Sequence, residues 1–342
     1  MTTKLAFALI FGFIIALAVG SILVPFLRKI KAGQEIRQDG PTWHNSKAGT
    51  PTMGGICFIT AATVVTLTVG WSVMTSGDYS HAFVLIFALI FGAIGFLDDY
   101  EKLKKKQNLG LTAKQKFLLQ LVVAIAFIYL LRFFGLIHAS TERAGCIDLY
   151  VPFINRTYPI NEIGYVVVAA FVIVGTVNAV NLTDGVDGLA TGTSLPVFLF
   201  YTVLCFYFGE EYLGLGIFSA AVTGGLLGFL IFNFNPAKIF MGDTGSLFLG
   251  GAVVALAFAY DMPLILVTLG FIYIIETLSD IIQVTYFKLS HGKRIFKMAP
   301  FHHHLEMGGW TGHKWTEKQL FALFTLTSLC FAAISFIGVL GR

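Results

Sequence analysis

The sequence predicts an all-α, polytopic integral membrane protein of about ten transmembrane helices with both termini periplasmic. Three observations predict it: a composition too apolar for a water-soluble fold, ten separated apolar runs, and a strong bias of Lys and Arg to one set of connections. Of 342 residues, 56% are apolar and only 12% are charged, with a mean hydropathy of +0.79. Soluble domains carry about 25% charged residues, so this chain has too little polar surface to face water all round. The 34 Phe and 36 Gly agree, because aromatic rings cover lipid-facing surface and Gly allows close helix approach.

A spanning helix needs roughly 20 mostly apolar residues. Nine runs fit or slightly exceed that: Leu5–Leu27, Met53–Trp71, His81–Leu97, Phe117–Ile137, Ile163–Val180, Leu189–Phe208, Tyr212–Phe232, Pro263–Leu289 and Leu320–Leu340. Met241–Tyr260 makes a tenth, although its first residues are polar and glycine-rich. The first run lacks a small-residue cleavage site and reads as an anchored helix, not a removed signal. With no internal repeat or low-complexity linker, residues 1–342 read as a single domain.

Positive residues are retained on the cytoplasmic side, and this orients the bundle. When the connections alternate between two sides, one side holds Lys4, Arg132, Arg143, Arg156 and Arg342, and the other holds the remaining eighteen Lys and Arg of 23. The loops 28–52, 98–116, 181–188, 233–244 and 290–318 are therefore expected in the cytoplasm. A net charge of +4 gives no reason to expect a nucleic-acid partner. The four Cys show no CxxC or Cys/His spacing, so neither a zinc site nor a disulfide framework is suggested.

The unusual polar clusters all fall in those cytoplasmic connections. Asp98 and Asp99 end the third run, with Lys102 one turn on. Adjacent helical residues point about 100° apart, so these two carboxylates cannot address one point equally well. Asn178, Asn181, Asp184 and Asp187 join the fifth and sixth runs, and Asp184 and Asp187 would share a face if that segment were helical. Gly185 and Gly188 leave the backbone bare beside each acid.

A third cluster, Asn233 to Ser246, places Asp243 between Gly242 and Gly245 at the start of a helix. There it can serve as an ordinary N-cap or hold a cation against an anionic ligand. Pro300 to Glu306 carries His302, His303 and His304 amid Lys and Arg, and Lys47 to Gly55 precedes the second run. Magnesium takes one or two carboxylates and completes its shell with water and substrate phosphates, while Lys and His complement phosphate charge. The inventory suits phosphoryl transfer from a water-soluble diphosphate to a lipid acceptor. It names neither sugar nor lipid.

At these motifs the sequence resembles the polyprenyl-phosphate N-acetylhexosamine-1-phosphate transferase superfamily. The Asp98–Asp99 pair and the segments Asn181–Asp187 and Phe240–Gly245 carry the shared signatures. The pattern from Pro300 to Glu306, with Pro51–Gly55, is similar to the branch that acts on muramoyl-pentapeptide. The resemblance covers nearly the whole chain. It implies transfer from UDP-N-acetylmuramoyl-pentapeptide to undecaprenyl phosphate, giving lipid I and UMP, in a Mg²⁺-dependent homodimer of the bacterial inner membrane.

By the same resemblance Asp243 is the metal ligand, and Asp98 and Asp99 are an essential pair with Asp98 the favoured base on the lipid phosphate. Lys47, Thr52, Gly185, Val186, Asp187 and Phe240 fall at nucleoside-contacting positions, with Phe240 available to stack on uracil. Lys102, Lys106, Lys114, Asn178, Asn181, Asp184, His302, His303 and His304 match further site positions.

Two competing classes weigh less. A sister transferase for a smaller UDP-sugar would keep the Asp motifs and differ in the histidine loop. A transporter predicts ionisable residues at mid-membrane in two related halves. Only Glu276 and Asp280, four apart, lie inside a run, where they mark a lipid-phosphate groove or a packing contact. The outer segment Ala139–Ile160 has short alternating stretches that suit a small hairpin, and Asn155-Arg-Thr157 is a sequon with no expected meaning in a bacterial chain.

Overall fold

In the computed structural model, which describes residues 1–29, 49–105, 107, 109–137, 139–141 and 143–342, each of the ten apolar runs forms helix. Chain order begins α1 (Thr2–Lys29), α2 (Ile56–Val69), α3 (Trp71–Met74), α4 (Ser80–Lys105) and α5 (Ala113–Phe133). A hairpin of β1 (Cys146–Val151) and β2 (Arg156–Asn161) follows, then α6 (Glu162–Thr183), α7 (Leu189–Phe208), α8 (Leu213–Asn233) and α9 (Gly242–Ala259). The chain closes with α10 (Leu266–Leu269), α11 (Phe271–Leu289), α12 (Phe301–Glu306) and α13 (Glu317–Val339).

Among the described residues eight helices are long and apolar enough to cross a bilayer: α1, α4, α5, α6, α7, α8, α9 and α13. The other two predicted runs depart from a single straight span for local reasons. Within Met53–Trp71 only the 14 residues of α2 are continuously helical, with α3 following Gly70. Its first residues are drawn into a backbone strap instead. Phe240 N donates to Pro51 O (2.8 Å), Gly54 N to Phe240 O (2.8 Å) and Gly55 N to Met241 O (3.0 Å). Backbone groups bonded to a distant loop cannot also extend a helix. The run Pro263–Leu289 is bent by 79° between α10 and α11, at Gly270.

Helix α9 is the axis of the bundle, for every residue from Thr244 to Ala259 is buried. In its N-terminal half Phe248 meets Phe58 (ring centroids 6.1 Å apart), which in turn packs on Phe229 (5.3 Å). By contrast α1 buries one narrow stripe (Leu5, Ala8, Gly12, Ala16, Gly20, Val24, Leu27), and its other faces carry exposed residues such as Ile22. Small residues at helical spacing on one face and bulky apolar ones on the rest suit a helix packed on one side and bathed in lipid on the other.

The two chain ends lie at one end of the bundle, as the charge pattern predicts. The Met1 ammonium is 3.2 Å from Glu210, in the α7–α8 connection. Arg342 donates to Tyr260 O (2.7 Å) beyond the C-terminus of α9, and Asn155 of the hairpin turn donates to Leu340 O (3.1 Å). The hairpin itself is antiparallel, from Cys146 opposite Asn161 to Val151 opposite Arg156. The connections α4–α5, α6–α7, α8–α9 and α11–α13 gather at the opposite end.

Where α4 crosses α9, Gly95 brings the two backbones into contact: a Cβ there would run into the carbonyl of Asp243. Gly95→Ala should therefore destabilise the detergent-purified protein by about 1–3 kcal/mol through overpacking. Ile22→Ala, on the lipid-facing side of α1, should stay within about 0.5 kcal/mol. Thermal unfolding of both variants decides it, and equal midpoints would remove Gly95 from this role.

Candidate active site

The site begins with an uncapped helix. The residue before α9 is Met241, which offers no side-chain acceptor to the free N–H groups of the first turn. The acceptor comes from another helix. Asp99, at the end of α4, takes hydrogen bonds from Thr244 N (2.9 Å), Thr244 Oγ1 (2.7 Å) and Asp243 N (3.2 Å). Gly242 makes room for it. With φ +70° it adopts a conformation that side chains resist, and a Cβ would stand 2.5 Å from Asp99 Oδ2 and 2.7 Å from Thr52 Oγ1.

Capped this way, α9 presents Asp243 beside Asp98. Carboxylate oxygens of Asp98, Asp99 and Asp243 lie within 4.8 Å of one another. Two ammonium groups enter the same cluster. Lys102 Nζ is 2.6 Å from Asp98 Oδ2, 2.9 Å from Asp243 Oδ2 and 3.9 Å from Asp99 Oδ1. Lys116 Nζ is 2.8 Å from the same Asp243 Oδ2. Asn181 donates to Asp243 Oδ1 (2.8 Å) and to Ser246 Oγ (2.7 Å), and Leu111 N donates to Asp98 Oδ1 (2.8 Å). Three carboxylates, of which Asp243 is partly open, form an oxygen donor set that fits a hard divalent cation.

The segment between α6 and α7 differs from the helical expectation. Helix α6 stops at Thr183 and the chain turns through residues 184–188, so Asp184 and Asp187 do not share a helical face. Asp187 is buried and faces the α8–α9 connection, accepting from Ala237 N (2.8 Å) and Asn235 Nδ2 (3.1 Å). Its own N–H donates to Glu317 Oε2 (2.9 Å). Asp187 therefore ties its own turn to the α8–α9 connection and to the start of α13. Val186 is buried among residues of α7, α11 and α13. Asn178 donates to Gln120 Oε1 (2.6 Å), which joins α6 to α5.

Thr52 is buried under the strap that Phe240 makes with Pro51 and Gly54, while the Phe240 side chain is half-exposed. Lys114 is exposed, and the first turn of α5 directs Lys116 to the carboxylates instead. Lys47 and Lys106 lie outside the described residues.

The histidines point three ways. His302 Nδ1 is 2.8 Å from Glu276 Oε2, with both side chains fully buried, and its ring packs against Gly185. Glu276, one of the two acids inside an apolar run, is thus the partner that orients His302. Neither His302 Nε2 nor Glu276 Oε1 has a hydrogen-bond partner among the described residues. His303 pairs with Glu306 (2.7 Å). His304 Nδ1 accepts from Lys297 N (3.1 Å), and its ring sits among Phe296, Phe301 and Trp310. Burial, with Lys297 nearby, holds His304 below the usual imidazole range.

Sequence reasoning missed Lys116, Gln120, Ser246 and Glu317 as members of this network. Thr112 and Gln115 form a capping box that fixes where α5 starts, so a signal existed for placing Lys116 on its first turn. Nothing in the sequence says which face of that turn meets Asp243.

Residues 81–261 match the family model described as glycosyl transferase family 4, and residues 47–59 match phospho-N-acetylmuramoyl-pentapeptide-transferase signature 1. The chain is 42% identical over 334 residues to the phospho-N-acetylmuramoyl-pentapeptide-transferase of Clostridium acetobutylicum, covering 98% of each. It is 43% identical over 340 residues to that of Caldanaerobacter subterraneus, covering 99% of this chain and all of the relative. With that of Listeria monocytogenes it shares 46% over 302 residues, covering 88% of this chain and 89% of the relative.

The division of labour between the adjacent acids is testable by stability alone. Asp99→Ala removes the cap of α9 and should cost about 1–2 kcal/mol more than Asp98→Asn, which keeps an oxygen for Leu111 N. Thermal unfolding of the two variants measures the difference. An Asp99→Ala protein as stable as the wild type would show that α9 does not depend on this cap.

Proposed function

Because the chain belongs to the phospho-N-acetylmuramoyl-pentapeptide transferase family, we propose that the Asp98–Asp99–Asp243 centre is where it makes lipid I. The enzyme transfers phospho-N-acetylmuramoyl-pentapeptide from its UDP derivative to undecaprenyl phosphate and releases UMP. The observation that carries the assignment is the cluster itself: three carboxylates, two ammonium groups and Asn181 converge at the end of the bundle away from both termini. Alternation of the connections in the sequence assigns eighteen of 23 Lys and Arg to the side of these loops, which supports a cytoplasmic active site in a bacterial inner-membrane enzyme.

In this reading Asp243, with Asp98 beside it, would hold Mg²⁺, which when bound would supply positive charge to offset that of the diphosphate. Asp243 is aimed by the Asn181 amide from one side and by the capped start of α9 from the other. Asp98 is the group that addresses the lipid phosphate. Unlike Asp99, it spends one oxygen on a side-chain ammonium, Lys102, and not on a helix end.

A phosphate oxygen of the lipid attacks the sugar-linked phosphorus directly, the bond to the UMP oxygen breaks, and UMP leaves with that electron pair. The lipid phosphate is already anionic at neutral pH, so the chain has to position it and shield its charge more than activate it. Lys102 supplies that positive charge, and Lys116 adds to it on the side of Asp243. Phe240, half-exposed at the mouth of the strap, stacks on uracil, and His302, held by Glu276 against Gly185, borders the α6–α7 turn. Lys47, Thr52, Lys106, Lys114 and Asp184 remain proposed substrate-side positions, and the active form is proposed to be a homodimer.

Release of UMP by the detergent-purified protein, given both substrates and Mg²⁺, tests the assignment and should require lipid and fail with chelator. Release that persists without lipid, or with chelator, would count against it. Asp243→Asn should lower turnover at saturating Mg²⁺ by at least about 100-fold, and near-normal turnover would sink the metal assignment. Phe240→Ala should raise the KM for the nucleotide more than it lowers kcat, whereas an unchanged KM would remove the ring from the uracil site.

A further inference from the structure

Asp243 Oδ2 accepts two ammonium groups at once, and the two lysines are not equivalent. Lys102 is shared among three carboxylates, at 2.6 Å from Asp98, 2.9 Å from Asp243 and 3.9 Å from Asp99. If it leaves Asp243, the contact to Asp98 still holds it. Lys116, on the first turn of α5, has Asp243 at 2.8 Å as its one carboxylate partner among the described residues. It comes from a different helix, and its side chain is only 16% exposed.

Charge makes the difference matter. Three carboxylates against two ammonium groups leave one formal negative charge. A divalent cation added with both lysines in place would turn the cluster positive, with like charges a few ångströms apart in a partly buried setting. The least-tied ammonium is the one to leave. A tethered ammonium released from Asp243 then stands next to the cation, where the diphosphate of the donor supplies the negative charge both lack.

We infer that Lys116 is an exchangeable counter-ion, which holds Asp243 until metal and diphosphate arrive and then passes from the carboxylate to the diphosphate. This rests on the metal-dependent transferase function proposed above. The exchange makes metal and nucleotide bind cooperatively, because each lowers the cost of displacing Lys116 for the other, and the coupling is reciprocal.

The test is Mn²⁺ binding to the full-length detergent-purified protein, read from the loss of the free-Mn²⁺ electron paramagnetic resonance signal. It is run with and without UDP-N-acetylmuramoyl-pentapeptide. The wild type should bind Mn²⁺ about tenfold more tightly with nucleotide than without. Lys116→Met, which keeps the stem and removes the charge, should bind Mn²⁺ about tenfold more tightly than wild type in the absence of nucleotide. Nucleotide should then raise its affinity by a smaller factor than in the wild type, the remainder of the rise being the direct attraction between metal and diphosphate. Lys116→Arg should keep the wild-type pattern, and Lys116→Gln gives the neutral comparison should the Met variant not fold.

A neutral variant whose nucleotide-free Mn²⁺ affinity equals or falls below wild type overturns the inference. Failure of the wild type to bind the nucleotide at all would instead sink the transferase function, while the nucleotide-free comparison still decides the role of Lys116.

Discussion

The site hangs on one crossing, where α4 meets α9 at Gly95. Without a side chain at Gly95, the end of α4 slides over the start of α9 until Asp99 reaches the free N–H groups of Asp243 and Thr244. That contact satisfies orphan donors that Met241 cannot satisfy, and it brings a second carboxylate, Asp98, within metal-binding distance of Asp243. The macrodipole favours the arrangement, since the helix end that Asp99 caps carries partial positive charge. The strap from Pro51 to Gly55 then closes over the same corner through Phe240 and Met241. The geometry of the site and the packing of the bundle are therefore set by the same few atoms.

Much of this was legible in the sequence because membranes constrain sequences strongly. A run of apolar residues long enough to span has few alternatives to helix, and all ten runs are helical. The two that depart from straight spans do so where tertiary contact overrides the local pattern. Pro51–Gly55 bonds to a loop far along the chain, and the bend at Gly270 interrupts an otherwise continuous run. The gathering of Asp, Asn and His motifs at one end was likewise readable, since alternation of sides follows from counting runs. The partners of those residues were not. That Asp187 answers Glu317, or that Glu276 answers His302, depends on which faces of distant helices meet, and no local spacing encodes that.

The polar residues of the site fall into two groups by what they touch. Asp99, Asp187, Asn178 and Glu276 spend their hydrogen bonds on other parts of the chain: a helix end, a loop backbone, Gln120 and His302. Asp99, Asp187 and Glu276 are buried and Asn178 is partly buried, and each has a partner within the chain. Asp98, Asp243, Lys102 and Lys116 instead pair with one another through side chains that a ligand can replace. A motif position thus does not announce a substrate contact. In this fold a large share of the signature residues build the frame that holds a smaller set in place.

Adjacent acids on a helix illustrate the point most sharply. About 100° separates Asp98 from Asp99, so one of them must turn from the open site when the other faces it. The fold gives each direction its own role. Asp99 points along α9 to fix the helix end, and Asp98 points across to Lys102. Exchanging the two residues' surroundings would leave α9 uncapped and its first acid free to swing away from Asp98. The proposed metal centre is therefore three acids of which one is structural, and a loss of activity on changing any of them would have one of two physically different origins. For Asp99 the origin would be displacement of Asp243, whereas for Asp98 and Asp243 it would be loss of charge at the proposed phosphate site.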